Sequence, residues 1–299
     1  ENCTNNAEVT AVMGNVGGVV GHASEGDDRA FIENCTNNAA VTVAGSDANS
    51  VAAGGIVGSA GDKVIVRICV NTGNITANST DELSNIKLKT VSAGGVGGRR
   101  VLNSYNIGKV EIVSGTADRM YAGGISADGF VDSCQNDGDV HISAKWSGHS
   151  SNDAGGITGA GAVTNSYNTA AVMNNFTYAD GATKSQNGIA AGIAANPTSS
   201  IFNCYNTGDV SSAKGVAYGL GGVGTKNSSS KAENSYYVCE VNGAELVKKY
   251  VSTAGAESDV TYIEADKVYM VDAELLVDLL NKNRSGGTPW FVDETKNHG

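Results

Sequence analysis

The sequence predicts an all-β fold: a parallel β-solenoid (a right-handed β-helix, by the usual hand of parallel crossovers) of about seven to eight coils, closed by a small α/β C-terminal cap. Three observations predict it. A nine-residue phrase recurs along the chain, a glycine phrase alternates with it, and β-branched residues hold fixed places in every copy. Self-similarity at a period of 20–50 residues marks a stacked architecture.

The first phrase is x-N-[CS]-x-N-x-[GA]-x-[VI], with departures at Ile68 and Ser133. It reads ENCTNNAEV at 1–9, ENCTNNAAV at 33–41, RICVNTGNI at 67–75 and LNSYNIGKV at 102–110. It continues as DSCQNDGDV at 132–140, TNSYNTAAV at 164–172 and FNCYNTGDV at 202–210, with a degenerate ENSYYVCEV at 233–241. The second phrase is a glycine pair and an aliphatic residue, as in GGIVG at 54–58, GGIS at 123–126 and GGITG at 155–159. Their alternation over residues 1–241 makes each unit one lap around a common axis.

Three residues before the Cys/Ser position stand Ile32, Val66, Val101, Val131, Val163, Ile201 and Ala232. Six residues after it stand Val9, Val41, Ile75, Val110, Val140, Val172, Val210 and Val241. β-Branched side chains suit strands. A short strand cannot cover them alone, but like strands stacked above and below can. Two residues after the Cys/Ser position runs an asparagine column, Asn37, Asn71, Asn106, Asn136, Asn168 and Asn206, preceded by Asn5. Strands ~4.8 Å apart bring such amides within hydrogen-bond reach as a ladder. Turns such as Asn136-Asp137-Gly138 suit tight corners, and the glycine pairs suit a second corner or a close backbone approach. Whether the Asn and Cys columns face inward or outward stays open, because a register slip of one residue reverses every side chain.

The alternation of A-G-G-[IV]-x-G with N-[CS]-Y-N-T-G-x-V resembles the GLUG-motif repeats of bacterial, mostly Gram-positive, gut-associated cell-surface proteins. The resemblance covers residues 1–241. It implies a non-catalytic, extracellular module of a large adhesin, a rigid stalk and binding surface for a host protein (immunoglobulin or mucin) or a glycan. Its alternative implication is an accessory domain that positions a secreted peptidase of the immunoglobulin A-specific kind, or a carbohydrate-active enzyme. The family carries no agreed catalytic residues, so the resemblance supplies none. Residues 242–299 resemble the closing segment of such arrays. Leu275, Leu276, Val277, Leu279 and Leu280 predict a helix near 272–282 with Asp272 as N-cap. Residues 260–271 read as a strand pair. The bare end of a solenoid needs such a cover.

Composition excludes several classes. The 299 residues include 40 Gly but only 2 Pro, which argues against collagen, and the hydrophobic fraction of 40% supports a core. A net charge of −11 argues against nucleic acid or an anionic membrane surface. No run approaches the ~18 apolar residues of a membrane-spanning helix. The chain begins Glu1-Asn2-Cys3 without a start Met, as expected of a segment of something longer.

Catalytic and metal chemistry find little support. Cys35, Cys69, Cys134 and Cys204 share a column with Cys3, and Ser takes their place at Ser104, Ser166 and Ser235. A position that accepts either asks for a small side chain, so free buried thiols are favoured over a disulfide or a metal, and no C-x-x-C pair exists for zinc. His22, His141, His149 and His298 are scattered, and none sits beside a column Ser or Cys as a general base. The acidic turns at Asp27-Asp28, Asp137/Asp139 and Asp209 match no dedicated Ca²⁺ loop. No cofactor, metal or catalytic residue is expected.

Two aromatic groups are the binding candidates. The residue after the Cys/Ser position is Tyr105, Tyr167, Tyr205 and Tyr236 in four copies, a stripe suited to stacking on sugars or anchoring a protein if it points outward. The long insertions at 141–154 and 173–190 carry Trp146, Phe176 and Tyr178. Loops of that length are more often functional than short corners. The same three residues could instead form a local core that pins the loops.

Overall fold

In a computed structural model of the chain, residues 1–241 are described except positions 25, 27, 46–49, 80–87, 114, 116, 147–149, 180–187, 222–231 and 234; beyond 241 the described residues are 244–251, 260–261, 281 and 289. The fold is an all-β solenoid of parallel, stacked strands. One coil serves for all. Arg100–Leu102 leads through a corner to Tyr105–Asn106, then a turn, Val110–Val113, Ala117–Gly123, the glycine corner and Ser126–Asp128. Each of these strands pairs in parallel with its equivalents in the coils before and after, except Ser126–Asp128, which pairs only with Thr158–Ala160 of the next coil.

The register is like over like. Val9, Val41, Ile75, Val110, Val140, Val172, Val210 and Val241 are successive partners. Ile32, Val66, Val101, Val131, Val163, Ile201 and Ala232 form a second such series. Val41, Ile75, Val110, Val66, Val101 and Val131 have no exposed surface. From Asn5 to Asn206 the chain completes six full laps across seven copies. The eighth is partial: Ser235–Val241 pairs in parallel with Tyr205–Asn206 and Val210–Ser212 and antiparallel with Ala244–Val251, which pairs antiparallel with Val260–Thr261. Of the helix expected near 272–282 only Asn281 is described, and it is helical; the rest of it, and most of the strand pair expected at 260–271, lie outside the described residues.

Both polar columns face inward. Asn37, Asn71, Asn106, Asn136, Asn168 and Asn206 are 0% exposed. Each Nδ2 donates to the Oδ1 of the next Asn at 2.7 Å, from Asn5 through Asn206. Each also donates to the carbonyl two residues ahead, as Asn136 does to Gly138 at 2.8 Å. The second glycine of each pair belongs to this ladder. A Cβ on Gly124 would stand 2.2 Å from Cγ of Asn136, and one on Gly156 2.5 Å from Cγ of Asn168. Any side chain there would displace the amide, so the two recurring phrases are two halves of one contact. The ladder ends where Asn206 donates to Sγ of Cys239 at 3.3 Å, and the Tyr237 ring takes the amide's place against Gly219.

The Cys/Ser column is a second ladder. Ser104, Ser166 and Ser235 accept the backbone N–H of Cys69, Cys134 and Cys204 at 3.0–3.1 Å. Each hydroxyl donates to the carbonyl two residues back, at 2.7–2.9 Å. Before this column the backbone is left-handed in seven copies, with φ between 47° and 59° at Asn2, Asn34, Ile68, Asn103, Ser133, Asn165 and Asn203. Asn tolerates that region because its short polar side chain bonds locally. Asn34 donates to Asn2 at 2.7 Å on the surface and Asn203 to Asn165 at 2.8 Å where both are buried, so the corner residues also bond along the stack. Ile68, β-branched and 50% exposed, is the strained member.

Two predictions follow from these columns. Asn136→Ala removes the acceptor of Asn106 and the donor to Asn168 inside the core, and destabilises the chain by roughly 2–5 kcal/mol in urea unfolding. Ile68→Asn relieves the left-handed strain and raises stability by about 1 kcal/mol in the same measurement.

Candidate functional site

The stripe one residue after the Cys/Ser position alternates outward, and neighbouring coils hold it in register: Val70, Tyr105, Gln135, Tyr167, Tyr205 and Tyr236 are successive partners. Its exposure is uneven. Tyr105 and Tyr167 are half-buried, while Tyr205 is 7% and Tyr236 3% exposed, which corrects the expectation of an open tyrosine stripe at those two positions. The Tyr167 and Tyr205 rings stack face to face with centroids 4.7 Å apart and planes 3° from parallel, so each covers the other. The eighth copy, flanked by its antiparallel partner strand, closes the far end of the column.

Tyr105 is tied down. Its hydroxyl donates to Oδ2 of Asp137 at 2.6 Å, which also accepts from Nε2 of Gln135 at 2.6 Å. Oδ1 of Asp137 accepts from Thr169 at 2.6 Å. Burial, then the hydrogen bond to Asp137 and its charge, raise the Tyr105 phenol well above its ordinary range. This cluster straps three coils together and holds Tyr105 as a neutral donor. The Asp137 turn is thus occupied by its own neighbours.

The second aromatic group comes together, but inside. Trp146 and Phe176 have no exposed surface and Tyr178 is half-buried, which corrects the first two as ligand-contact residues. Both insertions add a two-residue strand, Lys145–Trp146 and Thr177–Tyr178, that stacks on Ala117 in the order Ala117, Trp146, Tyr178. The alternation leaves Lys145 and Thr177 outside and turns Trp146 and Phe176 inward. Trp146 meets Phe176 edge-on at 5.3 Å and lies over Tyr178 at 5.9 Å, while its Nε1 donates to the Asp118 carbonyl at 3.1 Å. Aromatic pairs of this geometry stabilise by about 0.5–1.5 kcal/mol beyond the area they bury. The longer loops therefore carry a local core.

Three buried polar residues beside this cluster escape the sequence reading. Asn174 donates to the carbonyls of Asn152 at 3.1 Å and Ile189 at 3.0 Å, which ties both ends of the second insertion to the coil below. Asp153 is 2% exposed, with Nδ2 of Asn196 3.4 Å from its Oδ2. Burial pushes the Asp153 carboxyl up to about 7, with hydrogen bonds from Asn196 and Ser151 opposing the shift. Its column partners are Tyr121 and Ile189, with Ala52 and Ser92 further along. A lone carboxylate in a series of small or apolar residues was the available signal.

Burial keeps the column thiols Cys69, Cys134 and Cys204 protonated. All six cysteines are free, and all but Cys3 are buried. Burial raises the Cys69 thiol to about 11, and raises Cys134 further, so neither is a thiolate at neutral pH. Among the described residues no three His, Cys, Asp or Glu side chains gather in a metal-binding arrangement. No described helix is long and apolar enough to cross a membrane.

Asp153 generates a pH prediction. Its folded-state pKa lies above the unfolded value of 3.8, so its contribution is full below pH 4, is lost as pH rises, and levels off above about 7. Asp153→Asn removes that slope. The variant is the more stable one at pH 8 by on the order of 2–4 kcal/mol, and the difference closes toward pH 4. Thermal unfolding of both proteins across this window measures it.

No protein-family model, no curated protein and no solved structure matches this chain.

Proposed function

We propose that the chain is a rigid, non-catalytic binding module of a large bacterial cell-surface adhesin, extracellular, presenting the flanks of its solenoid to a host protein or glycan. The observation that carries this reading is the unbroken register of six laps, in which inward polar groups are engaged by neighbouring coils. The Asn amides, the column hydroxyls and the Asp137 carboxylate all have hydrogen-bond partners within the stack. What faces solvent along the coils is a set of mixed polar side chains such as Thr10, Asn38, Thr72 and Lys145. Seven coils at ~4.8 Å each give a stiff body on the order of 30 Å along the axis, whose flanks are its main accessible surface. The resemblance of residues 1–241 to GLUG repeats supports the adhesin setting.

Surface plasmon resonance of the immobilised chain against mucin, immunoglobulin and a glycan panel tests the proposal. Saturable binding to at least one of them, without turnover of polysaccharide or peptide, is the expected result. Absence of binding across the panel, or hydrolysis or elimination of a polysaccharide by the isolated chain, overturns it.

A further inference from the structure

Four outward positions break the polar pattern of the repeat, and they meet at one corner. The residue before the Cys/Ser position is Asn or Ser in every other copy and Ile68 in the third. The position held by Glu33, Arg67 and Asp132 in neighbouring copies is Leu102 in the fourth. Thr4 and Thr36 give way to Val70, and the place of Thr72 and Asp137 is taken by Ile107. The Ile68 N–H donates to the Leu102 carbonyl at 3.2 Å, Val70 pairs with Tyr105, and the Ile107 N–H donates to the Asn71 carbonyl at 3.0 Å. The four therefore share two adjacent coils. Ile68 is 50% and Ile107 45% exposed, and Val70 and Leu102 are half-buried.

Stability does not account for this patch. A β-branched residue at a φ of 56° is an outlier, and Ile68 leaves half its surface in water, so little burial offsets the strain. Asn and Ser fit the same backbone in the other copies. Strain that the fold does not require gathers at functional sites, and a contiguous exposed apolar patch rimmed by polar residues marks an interaction surface.

The surroundings select the partner. Leu102 is paired with Asp132, and the Asp137 N–H donates at 2.8 Å to the carbonyl of Asn106, next to Ile107. Asp139, exposed, follows in the same turn. These three carboxylates accept from neutral donors: Ser133, Thr164 and Asn165 on Asp132, the Tyr105, Gln135 and Thr169 side chains on Asp137, and the Ala171 N–H on Asp139. None is in an ion pair among the described residues. On the other side of the patch Arg67 is held by Glu33 at 2.7 Å. A second copy would bring a further charge of −11 and the same acids against these, and an acidic glycan meets the same repulsion. A neutral sugar finds no open ring face, since Tyr105 is half-buried with its hydroxyl on Asp137. We infer that this corner docks a basic protein surface, with apolar side chains of the partner on Ile68, Val70, Leu102 and Ile107 and its Lys or Arg over Asp132, Asp137 and Asp139. The inference rests on the binding-module reading and names the partner class and the place.

Selection of a random displayed-peptide library on the immobilised chain, with counter-selection on Ile68→Asn/Ile107→Thr, tests it. Both substitutions install residues that other copies hold at the same positions, and the first relieves strain, so the double variant melts no lower than the parent. Peptides that prefer the parent combine apolar residues with net positive charge. They bind the double variant about tenfold or more weakly, and they lose affinity between 50 and 300 mM NaCl as screening requires. Asp139→Asn keeps an acceptor for the Ala171 N–H but removes the charge, and weakens the same peptides without moving the thermal midpoint. The assignment is overturned if no peptide separates parent from double variant, or if those that do are neutral or acidic. If no peptide separates them and both proteins bind mucin, immunoglobulin or a glycan equally, the module reading stands and only this corner is lost.

Discussion

The structure depends on a carboxamide pressed between two backbones. Each column Asn fills the space above a glycine with no Cβ, donates along the stack and donates to its own turn. Nothing else in the coil fits that space: an apolar side chain leaves the turn carbonyl and the neighbouring amide unpaired inside the core, which costs more than a typical hydrogen bond contributes. Once the amide is in place the glycine corner, the turn and the coil spacing are all set. The valine and isoleucine columns then supply the larger share of the burial energy around a frame the amides define.

This division of labour explains what the chain can vary. The Cys/Ser column tolerates either residue because both are small and both bond to the carbonyl two residues back, Cys69 at 3.2 Å and Ser104 at 2.8 Å. The insertions vary in length because they lie between the valine strands and the glycine corner, away from the amides. Where an insertion grows long it brings its own packing, as Trp146 and Phe176 do, and its own staple, as Asn174 does. An accretion of this kind leaves the register of the parent coil untouched.

Repetition made much of this legible in advance. Val41, Ile75 and Val110 recur at one position in phrases spaced by a coil, and that pattern has few solutions other than stacking. The facing of the columns was less accessible, and one residue shows why. Ile32 and Cys35 are three apart and both point inward, which strict alternation along a strand forbids. The left-handed residue Asn34 between them resets the phase, so odd spacing between inward columns was itself a sign of a corner. The aromatic residues misled for a different reason: a Trp in a long insertion reads as a surface feature until the insertion is known to form strands. The burial of Asp153 depends on which residues of adjacent coils meet, and no single copy of the repeat contains that information.

The amide column also runs one way. Every rung donates toward the C-terminal coil, so the side-chain dipoles line up along the axis as peptide dipoles do in a helix. Turning a single rung around would set oxygen against oxygen on one side and hydrogen against hydrogen on the other. Orientation is thus a property of the column as a whole, adopted by all its members together, and it gives the rod a positive and a negative pole. The thiol of Cys239, receiving the last donor, marks the electropositive end.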